Sequence, residues 1–168
     1  MKKNQLLFFS GLLTLPILAV VLSTPANAHE PRDGVAGGAY NISVGHRVEP
    51  AWAKEPNAFD LFIRNPDDSA TDIPVEDIDI EVYVLRLKEE AIDGKVTKKK
   101  KLTGALRRDF STPNRYNLWY MPKKAGTYGF RIKGTIDGNA IDELFVCGNG
   151  TQRADGDAFG CVDNIQKF

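Results

Sequence analysis

The sequence predicts an all-β sandwich. Over short segments apolar residues alternate with polar ones, and turn signals recur every 8 to 12 residues. After residue 28 no stretch sustains the 3.6-residue apolar period of an amphipathic helix.

The first 28 residues stand apart from that pattern. Lys2 and Lys3 precede an apolar run from Leu6 to Leu22, and Ala26-Asn27-Ala28 has the form of a cleavage signal, so residues 1–28 read as a secretory signal peptide. Pro16 interrupts the run, and no membrane span is expected once the leader is removed. No cysteine lies near Ala28 to carry a lipid. Cleavage there leaves one domain, residues 29–168, destined for the periplasm or secretion, with His29 as its new N-terminus. Losing Lys2 and Lys3 leaves 20 basic against 22 acidic residues, a balance that points to no polyanionic partner.

After glycines 34, 37 and 38, the segment from Tyr40 to Val48 places Tyr40, Ile42, Val44, His46 and Val48 on one face, as in a half-buried strand. Pro50 and Pro56 break it, and Phe59, Leu61 and Ile63 resume the alternation as far as Arg64. Asn65-Pro66-Asp67-Asp68 predicts a turn. Ile78, Ile80, Val82 and Val84 form the next strand, with a turn signal at Asp93-Gly94. Residues from Val96 to Leu106 give a weaker one. Tyr116, Leu118 and Tyr120 mark a strand stopped by Pro122. Tyr128, Phe130, Ile132 and Ile136 mark another, which Asp137-Gly138 returns through Ile141 to Val146 as a tight hairpin. About seven strands result.

Cys147 and Cys161, the only cysteines, would enter an oxidising compartment and read as one disulfide pinning the Gly- and Asp-rich tail. Their spacing is not C-x-x-C, which argues against a redox or soft-metal role.

The run Lys123-Lys124-Ala125-Gly126-Thr127-Tyr128, followed by Phe130 and Ile132, resembles the tyrosine corner of immunoglobulin-like sandwiches. With Val44-Gly45-His46, Glu49-Pro50-Ala51, Pro56-Asn57 and Asp142-Glu143, the chain resembles a family of exported bacterial immunoglobulin-like sandwiches, distantly similar to periplasmic proteins of the copper-resistance (CopC-like) type. The resemblance implies an immunoglobulin-like fold and a copper(II) site begun by the mature N-terminal histidine, completed by a second histidine and a carboxylate. Only His29 matches by position, so His46, the sole other histidine, would have to be the partner. Glu30, Asp33 and Glu49 are the acids from which a third ligand would come. The methionine cluster that such proteins use for copper(I) is absent, since only Met121 follows the leader.

From the residues themselves, an N-terminal His29 offers an amine and an imidazole nitrogen from one residue, a ready chelate for copper. His46 shares a strand face with Val44 and reads more simply as a core or rim histidine satisfied by local partners.

Charge is also segregated. From Asp67 to Asp93 there are ten acids and two basic residues; from Lys95 to Arg108 there are seven basic residues and no acid. Two readings follow: the segments pair as neighbouring strands with facing charges, or Lys98, Lys99, Lys100 and Lys101 project from a loop tip toward an anionic partner, such as a periplasmic or membrane protein surface. No aromatic residues interleave these lysines, which disfavours nucleic acid.

The other motifs are weak. Residues from Asp155 to Gly160 match a calcium loop only in part. Trp52 and Trp119 are expected in the core, and Ser43, Ser69 and Ser111 lie in no G-x-S-x-G. The expectation is therefore an exported, non-catalytic copper-binding sandwich. An interaction module using the lysine patch is one alternative, and a copper mono-oxygenase with a two-histidine brace is the other.

Overall fold

The computed structural model describes residues 29–67, 71–89, 93–148 and 158–165; the leader and residues 155–157 of the calcium-loop-like motif lie outside them. Among the described residues nine strands form two antiparallel sheets. In chain order they are β1 (His29–Val35), β2 (Tyr40–His46), β3 (Asn57–Arg64), β4 (Ile78–Leu87), β5 (Val96–Lys101), β6 (Arg107–Arg108), β7 (Arg115–Tyr120), β8 (Tyr128–Ile136) and β9 (Asn139–Val146), with a 3-10 turn at Val75–Asp77 before β4. Seven coincide with the predicted segments. The two additions are β1 and the two-residue β6.

One sheet runs β1-β2-β3-β7-β6 and the other β5-β4-β8-β9. Setting β1 aside, β2 to β9 follow the A, B, E, D and C′, C, F, G arrangement of an immunoglobulin sandwich. The tyrosine corner is formed: the Tyr128 hydroxyl, at the start of β8, donates to the Lys124 carbonyl at 2.8 Å. The predicted hairpin turn between β8 and β9 has Asp137 at φ +46° and Gly138 at φ +75°, the two left-handed positions that a tight two-residue turn requires.

Period-two burial brings Ile42, Val44, Phe59, Leu61 and Ile63 from the first sheet against Val82, Phe130, Ile132 and Phe145 from the second, all within 2 % of complete burial. Gly134 in β8 sits at φ +145°, where a Cβ would run into the backbone of Asp79 and Ile80, so β4 and β8 approach as only glycine allows. Edge strand β1 turns two charges inward. Glu30 is fully buried and accepts from Arg32, whose guanidinium also reaches Glu143 and lies 4.2 Å from the Phe145 ring centre, tying the two sheets together.

Two expectations need correction. Val48 is exposed rather than in phase with the core, because β2 ends at His46; and Trp119 is 53 % exposed, not a core tryptophan.

Cys147 and Cys161 form the expected disulfide. Around it the tail is laid against the sandwich by main-chain bonds from Gly148 to Phe159 and from Asp163 to Ala51, which place Phe159 in the core. The bridge closes a 14-residue separation, for which chain entropy alone gives about 3 kcal/mol. The variant Cys147→Ala/Cys161→Ala is therefore expected to lose about that much in urea unfolding; an unchanged midpoint would show that the tail docks without its staple.

Candidate functional site

His29 opens β1 opposite Gly45, and Gly45 lies opposite Asp60 in β3. Paired residues project to the same face of a sheet, and neighbouring strands are about 4.8 Å apart. Gly45 has no side chain, so the His29 ring reaches across β2, and its Nε2 meets Asp60 Oδ2 at 3.0 Å. The ring also packs edge-on against Phe62, with centroids 5.1 Å apart.

Asp60 is fully buried on this outer face beneath its partners. Arg115 donates to it from Nε at 3.0 Å and from a terminal nitrogen at 2.5 Å, and Arg47 lies 3.9 Å away while bonding Asp109 at 2.6 Å. Burial pushes the Asp60 carboxyl up, but the hydrogen bonds from His29 and Arg115 outweigh it and hold the group below its usual range. Asp109 is also held below the usual carboxylate range, chiefly by Ser111 and then by Arg47. Because an ionised Asp60 can only accept, His29 Nε2 is the donor. The imidazole is thereby oriented, and in its neutral form Nδ1 carries the lone pair.

His46 occupies the opposite face of the same sheet. It pairs with Phe59, one register step from the His29–Gly45–Asp60 row, and its ring is fully buried against Phe130 and Phe159, both at 5.3 Å between centroids. Its Nδ1 lies 2.8 Å from the Tyr120 hydroxyl, and its Nε2 has no hydrogen-bond partner. Burial, with a smaller contribution from His29, pulls its pKa down to about 3. Thus the structure does not bring His29 and His46 together, and His46 is a core histidine with one ring nitrogen satisfied rather than both.

The acids expected as third ligands are also apart. Glu30 points into the sandwich toward Arg32, and Asp33 is exposed near the end of β1. Glu49 lies under the tail, where burial lifts its carboxyl to about 7 against main-chain N–H bonds from Gly160, Ala51 and His46. Among the described residues no group of three or more His, Cys, Asp or Glu side chains is placed to hold a metal ion. Asp60 was missed in the sequence because it alternates outward between Phe59 and Leu61, a position that reads as solvent-facing.

The four lysines lie in a strand, not at a loop tip. Lys98, Lys99, Lys100 and Lys101 pair with Arg86, Leu85, Val84 and Tyr83 of β4. Lys99 covers the Tyr83 ring at 4.1 Å and Lys101 pairs with Glu81, so this half answers to the facing-charge reading. Lys98 and Lys100 turn to the other face.

No helix among the described residues is long and apolar enough to cross a membrane. Comparison with protein-family models and with curated proteins finds no match to this chain.

Proposed function

We propose that the protein is an exported, non-catalytic copper(II)-binding sandwich whose metal is held by the main-chain amine and Nδ1 of His29. The observation that carries this reading is the bond from His29 Nε2 to buried Asp60. Histidines that bind a metal through one ring nitrogen characteristically donate from the other to a carboxylate, which fixes the ring and raises its basicity. Here that carboxylate is itself oriented by Arg115. Cleavage after Ala28 would place the amine at the first residue of β1, beside the nitrogen that the Asp60 bond leaves as an acceptor. Such a chelate suits copper(II), which favours nitrogen donors in tetragonal geometry. Export is supported by the disulfide, which fits an oxidising compartment.

His46 takes no part in this site, and Asp60 acts through His29 rather than as a ligand. The mono-oxygenase reading requires two imidazoles at one metal, whereas the two rings lie on opposite faces.

Copper(II) titrated into protein beginning at His29, followed by visible absorption and electron paramagnetic resonance, is expected to give one nitrogen-coordinated centre. Adding a glycine before His29 should abolish it, Asp60→Asn should weaken it roughly tenfold or more, and His46→Phe should leave it unchanged. A centre that survives the added glycine, or no centre in the processed protein, would overturn the reading.

A further inference from the structure

We propose that a cavity bounded by β4, β5 and the β7–β8 connection is a second binding site, independent of His29, for a small amphipathic anion: an aryl or short-chain carboxylate or phosphate ester. The cavity measures about 260 Å³. At about 30 Å³ per water molecule, that is roughly nine waters' worth of space, suited to a small molecule or to one end of a larger one.

Its lining is divided by chemistry. Arg86, Lys98, Lys100, Lys123 and Lys124 supply five cations and no carboxylate is among the lining residues, while Val84, Leu102, Trp119, Tyr120 and Met121 supply an apolar wall. Trp119 and Met121 are each 53 % exposed there. Elsewhere in the same sheet cations are neutralised: Lys101 by Glu81, and Arg131 and Lys133 by Asp142. Among the described residues, none of the five cavity cations is in an ion pair with an acid.

Two details indicate that this charge is held for a ligand. Arg86 and Lys98 lie directly opposite each other across the β4–β5 ladder, and like charges in that relation cost stability. Arg86 is also fixed in place: one terminal nitrogen donates to the Ala125 carbonyl at 3.0 Å, its guanidinium lies 5.8 Å from the Tyr128 ring centre, and its Nε is buried without a partner. An anionic head at the Arg86 guanidinium, flanked by Lys98 and Lys100, would relieve the repulsion, with its apolar body against Trp119 and Met121. Lysines on an edge strand also discourage aggregation, but that accounts for neither Arg86 nor Lys123 and Lys124, which lie off the edge.

The test uses phenyl phosphate, with inorganic phosphate as the head alone and benzyl alcohol as the body alone, followed by tryptophan fluorescence and amide chemical shifts. Phenyl phosphate is expected to bind at least tenfold more tightly than either fragment, with shifts centred on residues 98–102 and 119–124. Lys98→Gln/Lys100→Gln should weaken it about tenfold, as should Arg86→Gln, whereas Lys99→Gln/Lys101→Gln, on the opposite face of the same strand, should not. Because Arg86 also anchors Ala125, the exposed lysine pair keeps the test independent of folding. Equal weakening by the two lysine pairs, equal affinity for inorganic phosphate, or no binding of phenyl phosphate would overturn the proposal.

Discussion

Replacing Asp60 by alanine is expected to destabilise the domain by about 3–5 kcal/mol, the cost of leaving buried partners of an ion network uncompensated. Asp60 is fully buried, and His29, Arg115 and Arg47 converge on it. Without it, Arg115 and Arg47 would be left with Asp109 as the remaining acid in the network. For a domain of this size the loss corresponds to a fall of roughly 10 °C or more in Tm. The double variant Asp60→Leu/Arg115→Met should cost less than the sum of its parts, since removing both partners leaves no orphan between them. The pH dependence has a definite sign. Asp60's carboxyl is depressed in the folded state, so its contribution is fully present above the unfolded value near 3.8 and is lost as pH falls through the lower, folded value. Wild type and Asp60→Asn should therefore converge in acid. A variant as stable as wild type at pH 7 would show that the network contributes nothing net.

Asp60 also marks the limit of what the sequence discloses. The strand pattern was legible because both sheets bury one face and expose the other, so Ile42 and Val44, Phe59 and Leu61, and Phe130 and Ile132 announce their faces by period two alone. β1 was not legible. Its inward residues Glu30 and Arg32 are charged and satisfied by each other and by Glu143, partners that are remote in sequence. β6, at two residues, is too short to carry a period. Burial of Asp60 required a histidine from β1 to cross Gly45 and an arginine from β7 to fold over it, and neither neighbour is visible in the local pattern.

The lysine run shows the opposite failure. Four successive lysines look like one patch, but a strand divides them: Lys99 and Lys101 fall to Tyr83 and Glu81, while Lys98 and Lys100 join Arg86. The facing-charge reading thus applies to Lys99 and Lys101, and all four lysines lie in β5 rather than at a loop tip.

The second large effect lies between pH 4.5 and 6.5, where His46 and Glu49 are expected to oppose each other. His46 has a folded pKa of about 3 against 6.5 when unfolded, so in this window the unfolded chain binds a proton that the native state refuses; stability rises with pH by about 1.4 kcal/mol per unit. Glu49 is the reverse. Its folded pKa of about 7 lies above the unfolded value of 4.5, so the native state holds the extra proton and stability falls as pH rises. Glu49 is partly exposed, and screening by solvent reduces its share to about half of the full slope. Wild type should therefore gain only about 1–2 kcal/mol from pH 4.5 to 6.5. Glu49→Gln should uncover the His46 slope and gain about 2 kcal/mol over the same interval, whereas His46→Phe should reverse the sign, losing stability as pH rises. Urea unfolding at four pH values reads all three slopes, and comparing slopes within each variant removes any constant cost of the substitution. The same slope in all three proteins would mean that neither group titrates between the folded and unfolded states in this range. The tail contributes to the His46 shift, since its Phe159 packs on that ring, whereas its Gly160 N–H bond to Glu49 opposes the upward shift that burial gives that carboxyl. Removing the Cys147–Cys161 bridge should therefore flatten the Glu49→Gln slope as well as lower overall stability, which connects the staple at the end of β9 to the ionisation of a histidine in β2.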